Sequence, residues 1–248
     1  MGLTNFPPES IGAPALLDWA LSAYGARFAI VTSFQSEGMV LIDMASRLGR
    51  PFRVMTLDTG RLPAETFQMI ETVRELYGVR VEVVSPDARE VEEMVRRHGP
   101  NLFYRGVAYR RLCCHFRKVR PLERVLAGLD AYATGLRREQ SETRASVPKV
   151  DTASRPVKLN PLADWSRAEV EAYTRAHQTP RHPLYQQGYG SIGCAPCTRP
   201  LLPGEEERAG RWWWEQDAAK ECGLHFTPEG QAARTLDILV GEILSAHA

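Results

Sequence analysis

Short apolar runs recur along the chain, each followed by a polar or glycine-bearing loop and then by an amphipathic stretch. Phe28-Ala29-Ile30-Val31 leads into Thr32-Ser33-Phe34-Gln35-Ser36-Glu37-Gly38, and residues 39–48 are apolar at helical density. Residues 52–57, the loop Asp58-Thr59-Gly60-Arg61 and a segment from Pro63 repeat the pattern. A strand that hands over to a helix rejoins its sheet by a crossover, so the next strand runs parallel to it. The rhythm predicts an α/β protein with a mostly parallel, doubly wound sheet flanked by helices.

Local signals extend the pattern. Pro63 suits the first turn of a helix, where its missing N–H costs nothing, and Met69, Ile70, Val73, Leu76 and Tyr77 mark that helix's buried stripe. Residues 79–84 alternate as a third strand, and Asp87 with Glu90 reads as a capping box before Val91, Met94 and Val95. A helix over 119–129 and a strand over 131–134 follow. Pro121 either starts that helix nearby or kinks it, which leaves Cys113-Cys114 at an irregular place. A short strand over 157–159 and a helix capped by Ser166 and Glu169 complete the core. From about Thr179, prolines and glycines break the chain, and Trp212, Trp213 and Trp214 follow. These are the marks of a wrapped cap held by something other than regular ladders. The division expected is a nucleotide-binding core over 1–178 and a cap and tail over 179–248, together forming one structural domain.

Lys plus Arg (31) nearly balances Asp plus Glu (30), which argues against nucleic acid or a membrane surface as the partner. Positive charge is concentrated locally instead. Arg105, Arg110, Arg111, Arg117, Lys118 and Arg120 surround the first cysteine pair, and Arg199, Arg208 and Arg211 follow the second. Such clusters suit a small anionic ligand, although solvated surface arginines are the plainer alternative. The first residues lack the basic and apolar regions of a secretory signal, and no run approaches the roughly 18 apolar residues of a membrane span. A cytoplasmic, reducing location is expected, where grouped cysteines bind metal or catalyse more often than they form disulfides.

Four of the five cysteines form two tight pairs, Cys113-Cys114 and Cys194-Ala195-Pro196-Cys197. The pairs can converge on one metal centre, either an iron–sulfur cluster or a tetrahedral zinc. Cys222 stands apart in Glu221-Cys222-Gly223-Leu224-His225, as a nucleophile or as an inert buried thiol. In open parallel sheets, ligands bind beyond the carboxyl ends of the strands. Three loops qualify: residues 33–38, residues 58–61 and Gly135-Leu136-Arg137-Arg138-Glu139-Gln140-Ser141. The first offers the hydroxyls of Ser33 and Ser36 and a helix N-terminus, a cradle for an anionic group. It matches neither the Walker A pattern nor the dinucleotide glycine fingerprint.

Taken together, the three loops, both cysteine pairs and the segment 221–225 resemble the sulfonucleotide reductases, the adenylylsulfate and phosphoadenylylsulfate reductases of assimilatory sulfate reduction. The resemblance spans about residues 25 to 226, with the motifs in the family's order. It implies an adenine nucleotide α-hydrolase-like fold with an iron–sulfur cap, and a first loop that is a modified pyrophosphate-binding loop. It also implies one 4Fe-4S cluster per chain on Cys113, Cys114, Cys194 and Cys197, a set typical of members that use adenylylsulfate; adjacent cysteines are unusual for zinc. Cys222 would attack the sulfate sulfur of adenylylsulfate, expel AMP and carry a Cys-S-sulfonate. Thioredoxin, or a glutaredoxin-like dithiol, would then release sulfite.

Substrate contacts are expected from Ser33, Ser36, Asp58, Thr59, Gly60, Lys118, Arg137, Arg144, Arg208, Arg211 and His225. Arg137 and Arg211 are the favoured grips on the phosphosulfate, Asp58 also suits a loop-fixing role, and Lys118 is the expected bridge between cluster and substrate. The alternatives are a phosphoadenylylsulfate or dual-specificity reductase yielding adenosine 3′,5′-bisphosphate, an ATP-pyrophosphate-splitting adenylyltransferase, and a non-enzymatic iron–sulfur sensor. The chain departs from the family after His225. Leu236, Leu239, Ile243 and Leu244 predict an amphipathic helix from near Pro228, able to pack on the body or on a second subunit of a homo-oligomer.

Overall fold

The computed structural model of the chain describes residues 5–215 and 230–247. Six strands form one sheet: β1 (Phe28–Val31), β2 (Val54–Leu57), β3 (Val81–Val84), β4 (Ala131–Ala133), β5 (Val150–Asp151) and β6 (Val157–Leu159). Their order is β3-β2-β1-β4-β6-β5. Every pairing is parallel except β5 with β6. The chain winds outward from β1 to β3, then returns to β1's other edge to lay down β4. That reversal opens a crevice between β1 and β4 at their carboxyl ends, where doubly wound sheets bind ligands.

The helices are α1 (Ala13–Tyr24), α2 (Ser36–Arg47), α3 (Ala64–Tyr77), α4 (Ala88–His98), α5 (Val107–Cys114), α6 (Arg120–Leu126), α7 (Arg167–His177) and α8 (Gly230–Leu244). The central strands are apolar throughout because helices cover both faces: Phe28, Ala29, Ile30, Ala131 and Ala133 have no exposed surface. Leu16 and Leu17 of α1 join Val40, Leu41 and Met44 of α2 on one face. Met39 and Ile42 of α2 meet Met69 and Val73 of α3 and Val54 of β2 in a second cluster.

Several local expectations are corrected. Pro63 is the N-cap of α3, one residue before its first turn, and Leu76 lies outside the buried stripe at 59% exposure. Asp87 does cap α4, accepting from the N–H groups of Arg89 and Glu90. Glu90 does not complete a box; its carboxylate takes the Arg120 guanidinium instead. The helix expected over 119–129 begins far earlier, because α5 and α6 are joined by a π-helical turn over His115–Val119. In that turn the Arg120 N–H donates to the His115 carbonyl, five residues back. Pro121, which has no N–H to donate, follows at once. The wider turn accommodates the missing donor without breaking the helix, and Cys113-Cys114 sits where the regular helix gives way.

The segment from Thr179 is tied down by side chains and isolated backbone bonds. The Gln35 carboxamide oxygen accepts from the Ile192 N–H at 2.8 Å, and the Ala195 N–H donates to the Arg61 carbonyl at 2.8 Å. Fully buried His182 accepts the Leu184 N–H on Nδ1, so Nε2 carries the proton and donates to Thr66 Oγ1 at 3.0 Å. Burial holds its pKa down at about 4, against a smaller upward pull from Glu65. Because the folded value lies below the unfolded one, stability is lost as pH falls from about 6.5 towards 4, where only the unfolded chain binds the proton. His182→Gln should flatten this dependence: urea midpoints at pH 7.5 and pH 5 should differ less in the variant than in the wild type. Equal differences would remove His182 as the titrating group.

Candidate active site

A cavity of about 220 Å³ opens at the carboxyl ends of β1, β2 and β4, with Val31, Leu57 and Thr134 on its wall. The turn from β1 into α2 is held by Thr32, whose Oγ1 accepts the Phe34 N–H at 2.9 Å while Phe34 takes a left-handed φ of 58°. A Cβ at Gly38 would overlap Thr32 Oγ1, so only glycine lets the first turn of α2 lie against the strand end. Gly135 lies 2.6 Å, measured from a Cβ built on it, from the Glu37 Cβ, so the first and third loops pack almost backbone to backbone. Ser33, Gln35, Glu37 and Gly38 all line the cavity.

The arginines expected at the site separate into two kinds. Arg137 is 1% exposed and bound by carboxylates: Glu37 at 2.8 Å, Glu139 at 2.8 Å and Glu207 at 3.7 Å. It ties the third loop to the start of α2 and is absent from the cavity wall. Arg211 is 6% exposed and lines the cavity, yet no carboxylate pairs with it among the described residues. Its Nη1 donates to the Ile192 carbonyl at 3.1 Å, while Nε is buried with no partner among the described residues. The guanidinium lies so close over Gly193 that any side chain there would displace it. Lys118, Arg144 and Arg208 line the same cavity, and Arg144 donates to the Gln140 side-chain oxygen. Arg144, not Arg137, is thus the one of these two arginines on the cavity wall.

The second loop faces a different chamber. Asp58 Oδ1 accepts the Gly60 N–H at 2.8 Å and fixes the turn, and Gly60 adopts a φ of 67°. Neither residue lines the cavity, nor does Ser36, but Thr59 does. Thr59 Oγ1 also lies 3.2 Å from Cys194 Sγ. Beyond it Cys113, Cys114, Cys194 and Cys197, each 7–8% exposed, line one small recess. Lys118 and Trp212 line both chambers and so form the partition between them.

The recess is lined by cations, Arg61, Arg110, Arg117 and Lys118. Burial, and then the charge of Cys114, push the Cys113 thiol up to about 12; burial and the charges of Cys194 and Cys114 do the same to Cys197. Burial acts on Cys194 too, but Lys118, the Thr59 hydroxyl, Arg211 and Arg117 outweigh it and the net shift is downward. Arg117 Nε and Trp212 Nε1 are buried donors with no partner among the described residues. Among the described residues, no group of three or more His, Cys, Asp or Glu side chains is arranged to hold a metal ion as it stands. The donor set nevertheless fits an anionic metal–sulfur group, since it combines four thiols, neighbouring cations and N–H donors lacking acceptors.

Cys222 and His225 lie outside the described residues, as does Pro228. Sequence reasoning missed Glu37 and Glu207 at the cavity, and burial together with the charge of Glu37 raises the Glu207 pKa. It also missed Thr32 and Gln35, whose roles come from local turn geometry. Only the density of polar residues in the first loop hinted at them.

Residues 27–200 match the family model for the phosphoadenosine phosphosulfate reductase domain. The chain is 51% identical to an adenosine 5′-phosphosulfate reductase of Allochromatium vinosum, over 82% of this chain and 81% of the relative. A Burkholderia cepacia protein of the same name is 47% identical, over 90% of this chain and 92% of the relative. A phosphoadenylyl-sulfate reductase from Candida auris, solved with phosphate, superposes with a TM-score of 0.64 at 27% identity, over 75% of this chain and 90% of that one. A Candida glabrata FMN adenylyltransferase shares the fold alone, with a TM-score of 0.55 at 13% identity, over 95% of this chain and 78% of its own. The match over every strand of the sheet and all three loops beyond it, with relatives near half identity, makes the chain a member of the phosphoadenosine phosphosulfate reductase domain family.

Proposed function

We propose that the protein reduces adenylylsulfate to sulfite and AMP, with Cys222 as the nucleophile and a 4Fe-4S cluster held by Cys113, Cys114, Cys194 and Cys197. The observation that carries this reading is Arg211: a buried guanidinium without a carboxylate partner among the described residues, on the wall of a cavity that adjoins four buried cysteines. An uncompensated buried cation is costly, and an anionic substrate removes that cost. Adenylylsulfate is favoured over phosphoadenylylsulfate because the relatives near half identity carry the former name.

In this reading the phosphosulfate meets Arg211, Lys118, Arg144 and Arg208, and the nucleotide lies along Ser33, Gln35 and Thr59. The Cys222 thiolate attacks the sulfate sulfur; the bond from sulfur to the bridging oxygen breaks and its electron pair leaves on AMP. A dithiol protein of the thioredoxin or glutaredoxin type then attacks the Cys222 sulfur, sulfite departs with its electron pair, and the second thiol closes the disulfide. When bound, the cluster contributes electrostatic and structural support. Residues 1–178 supply the nucleotide core in this scheme and 179–248 the cap and tail. Reduced thiols in such numbers also suit a reducing, cytoplasmic setting.

Arg211→Gln should raise KM for adenylylsulfate roughly 10- to 150-fold, the equivalent of one charge-assisted contact of about 1.5–3 kcal/mol. Arg137→Met should instead destabilise the fold by about 3–5 kcal/mol, because it strands buried Glu37 without its partner. Steady-state kinetics beside urea unfolding separates the two, and the opposite pattern would reverse the assignments.

Cys222→Ser should abolish sulfite release and leave iron and acid-labile sulfide unchanged. Turnover in that variant would end the nucleophile's assignment. Cys194→Ser should lose the iron; full iron content would remove it from the ligand set.

A further inference from the structure

The C-terminal helix α8 packs on α5 and α4, and α5 ends in Cys113-Cys114. Its apolar residues recur at helical spacing, with Leu236, Leu239, Val240, Ile243 and Leu244 on one side. Leu239 is 7% exposed and Ile243 fully buried, while Ile238 on the other side is 64% exposed. The helix therefore has one committed face rather than lying loosely on the body. That face belongs to the same apolar cluster as Cys113, Cys194, Cys197, Phe116 and Trp212.

We infer that α8 is an outer wall behind the cysteine recess, a positioning element that lines no part of the recess among the described residues but braces α5 against it, and so keeps water and small reagents from the four thiols, by seating Leu239 and Ile243 against α5. Close packing around a metal–thiolate site governs access to it. Truncating the two anchors loosens the support of α5 on that side of the recess while leaving the nucleotide cavity, which no described residue of α8 lines, untouched. The inference rests on the function proposed above only for what the recess holds; the thiols and their cover do not depend on it.

The test compares wild type, Leu239→Ala/Ile243→Ala, each single alanine variant, the conservative pair Leu239→Met/Ile243→Val, and the exposed control Ile238→Ala. In holoprotein exposed to air and a chelator, bleaching of visible absorbance should be at least tenfold faster in the double variant. In iron-depleted protein, iodoacetamide should label Cys113, Cys114, Cys194 and Cys197 at least tenfold faster, read by peptide mass spectrometry. The conservative pair and Ile238→Ala should behave as wild type, and KM for adenylylsulfate should not change. Wild-type labelling rates in the double variant would overturn the inference, as would fast labelling in the conservative pair. If the double variant fails to fold, the single variants decide by the same criterion. If wild-type protein binds no iron, the cluster assignment fails while the labelling rates still judge the wall.

Discussion

Buried positive charge left without a protein counter-ion organises this molecule. Arg211 and Arg117 are both nearly inaccessible, at 6% and 9% exposure, and neither has a carboxylate partner among the described residues. Other buried cations of the chain show the contrast. Arg137 takes Glu37, Lys149 takes Asp164 at 2.7 Å, and Arg110 takes Glu215 at 2.6 Å. Burying a charge unpaired costs several kcal/mol, so two such residues in adjoining chambers mark where anions belong. Arg211 faces the cavity beyond β1 and β4, and Arg117 lines the cysteine recess. One cation suits a phosphosulfate and the other a negatively charged metal–thiolate group.

The two chambers are mechanically linked. Arg117 Nη1 donates to the Thr59 carbonyl at 2.7 Å while Thr59 Oγ1 meets Cys194, so the second loop is pinned from the recess side and presents itself to the cavity on the other. Trp212 does similar work from the cap. Its ring is shared by Arg110 at 4.3 Å and Arg211 at 4.6 Å, and its backbone adopts a φ of 44° that bulky residues rarely tolerate. The Trp212 backbone N–H donates to the Cys197 carbonyl at 3.1 Å. One residue thus touches the cavity-facing Arg211 with its ring and the second cysteine pair with its backbone.

The doubly wound sheet was legible because each crossover leaves a periodic trace: apolar runs such as residues 28–31, then helical spacing. Antiparallel β5 was not, since two residues carry no periodicity. Cysteine pairing was equally plain, and Thr59 and Lys118 were reached through motif resemblance. What could not be read was the pairing state of each arginine. Arg137 and Arg211 look alike in sequence, and only the folded positions of Glu37, Glu139 and Glu207 make one a structural tie and the other an open receptor. Long-range partners decide charge chemistry, whereas local spacing decides secondary structure.

The same distinction bears on the segment between Glu215 and α8. Glu215 is bound to Arg110 on α5, and α8 packs on α5 as well. Glu215 and α8 are thus both fastened to the helix that bears Cys113-Cys114. The fifteen-residue helix α8 braces the end of α5 at which the first cysteine pair sits, although among the described residues it supplies none of the cavity wall.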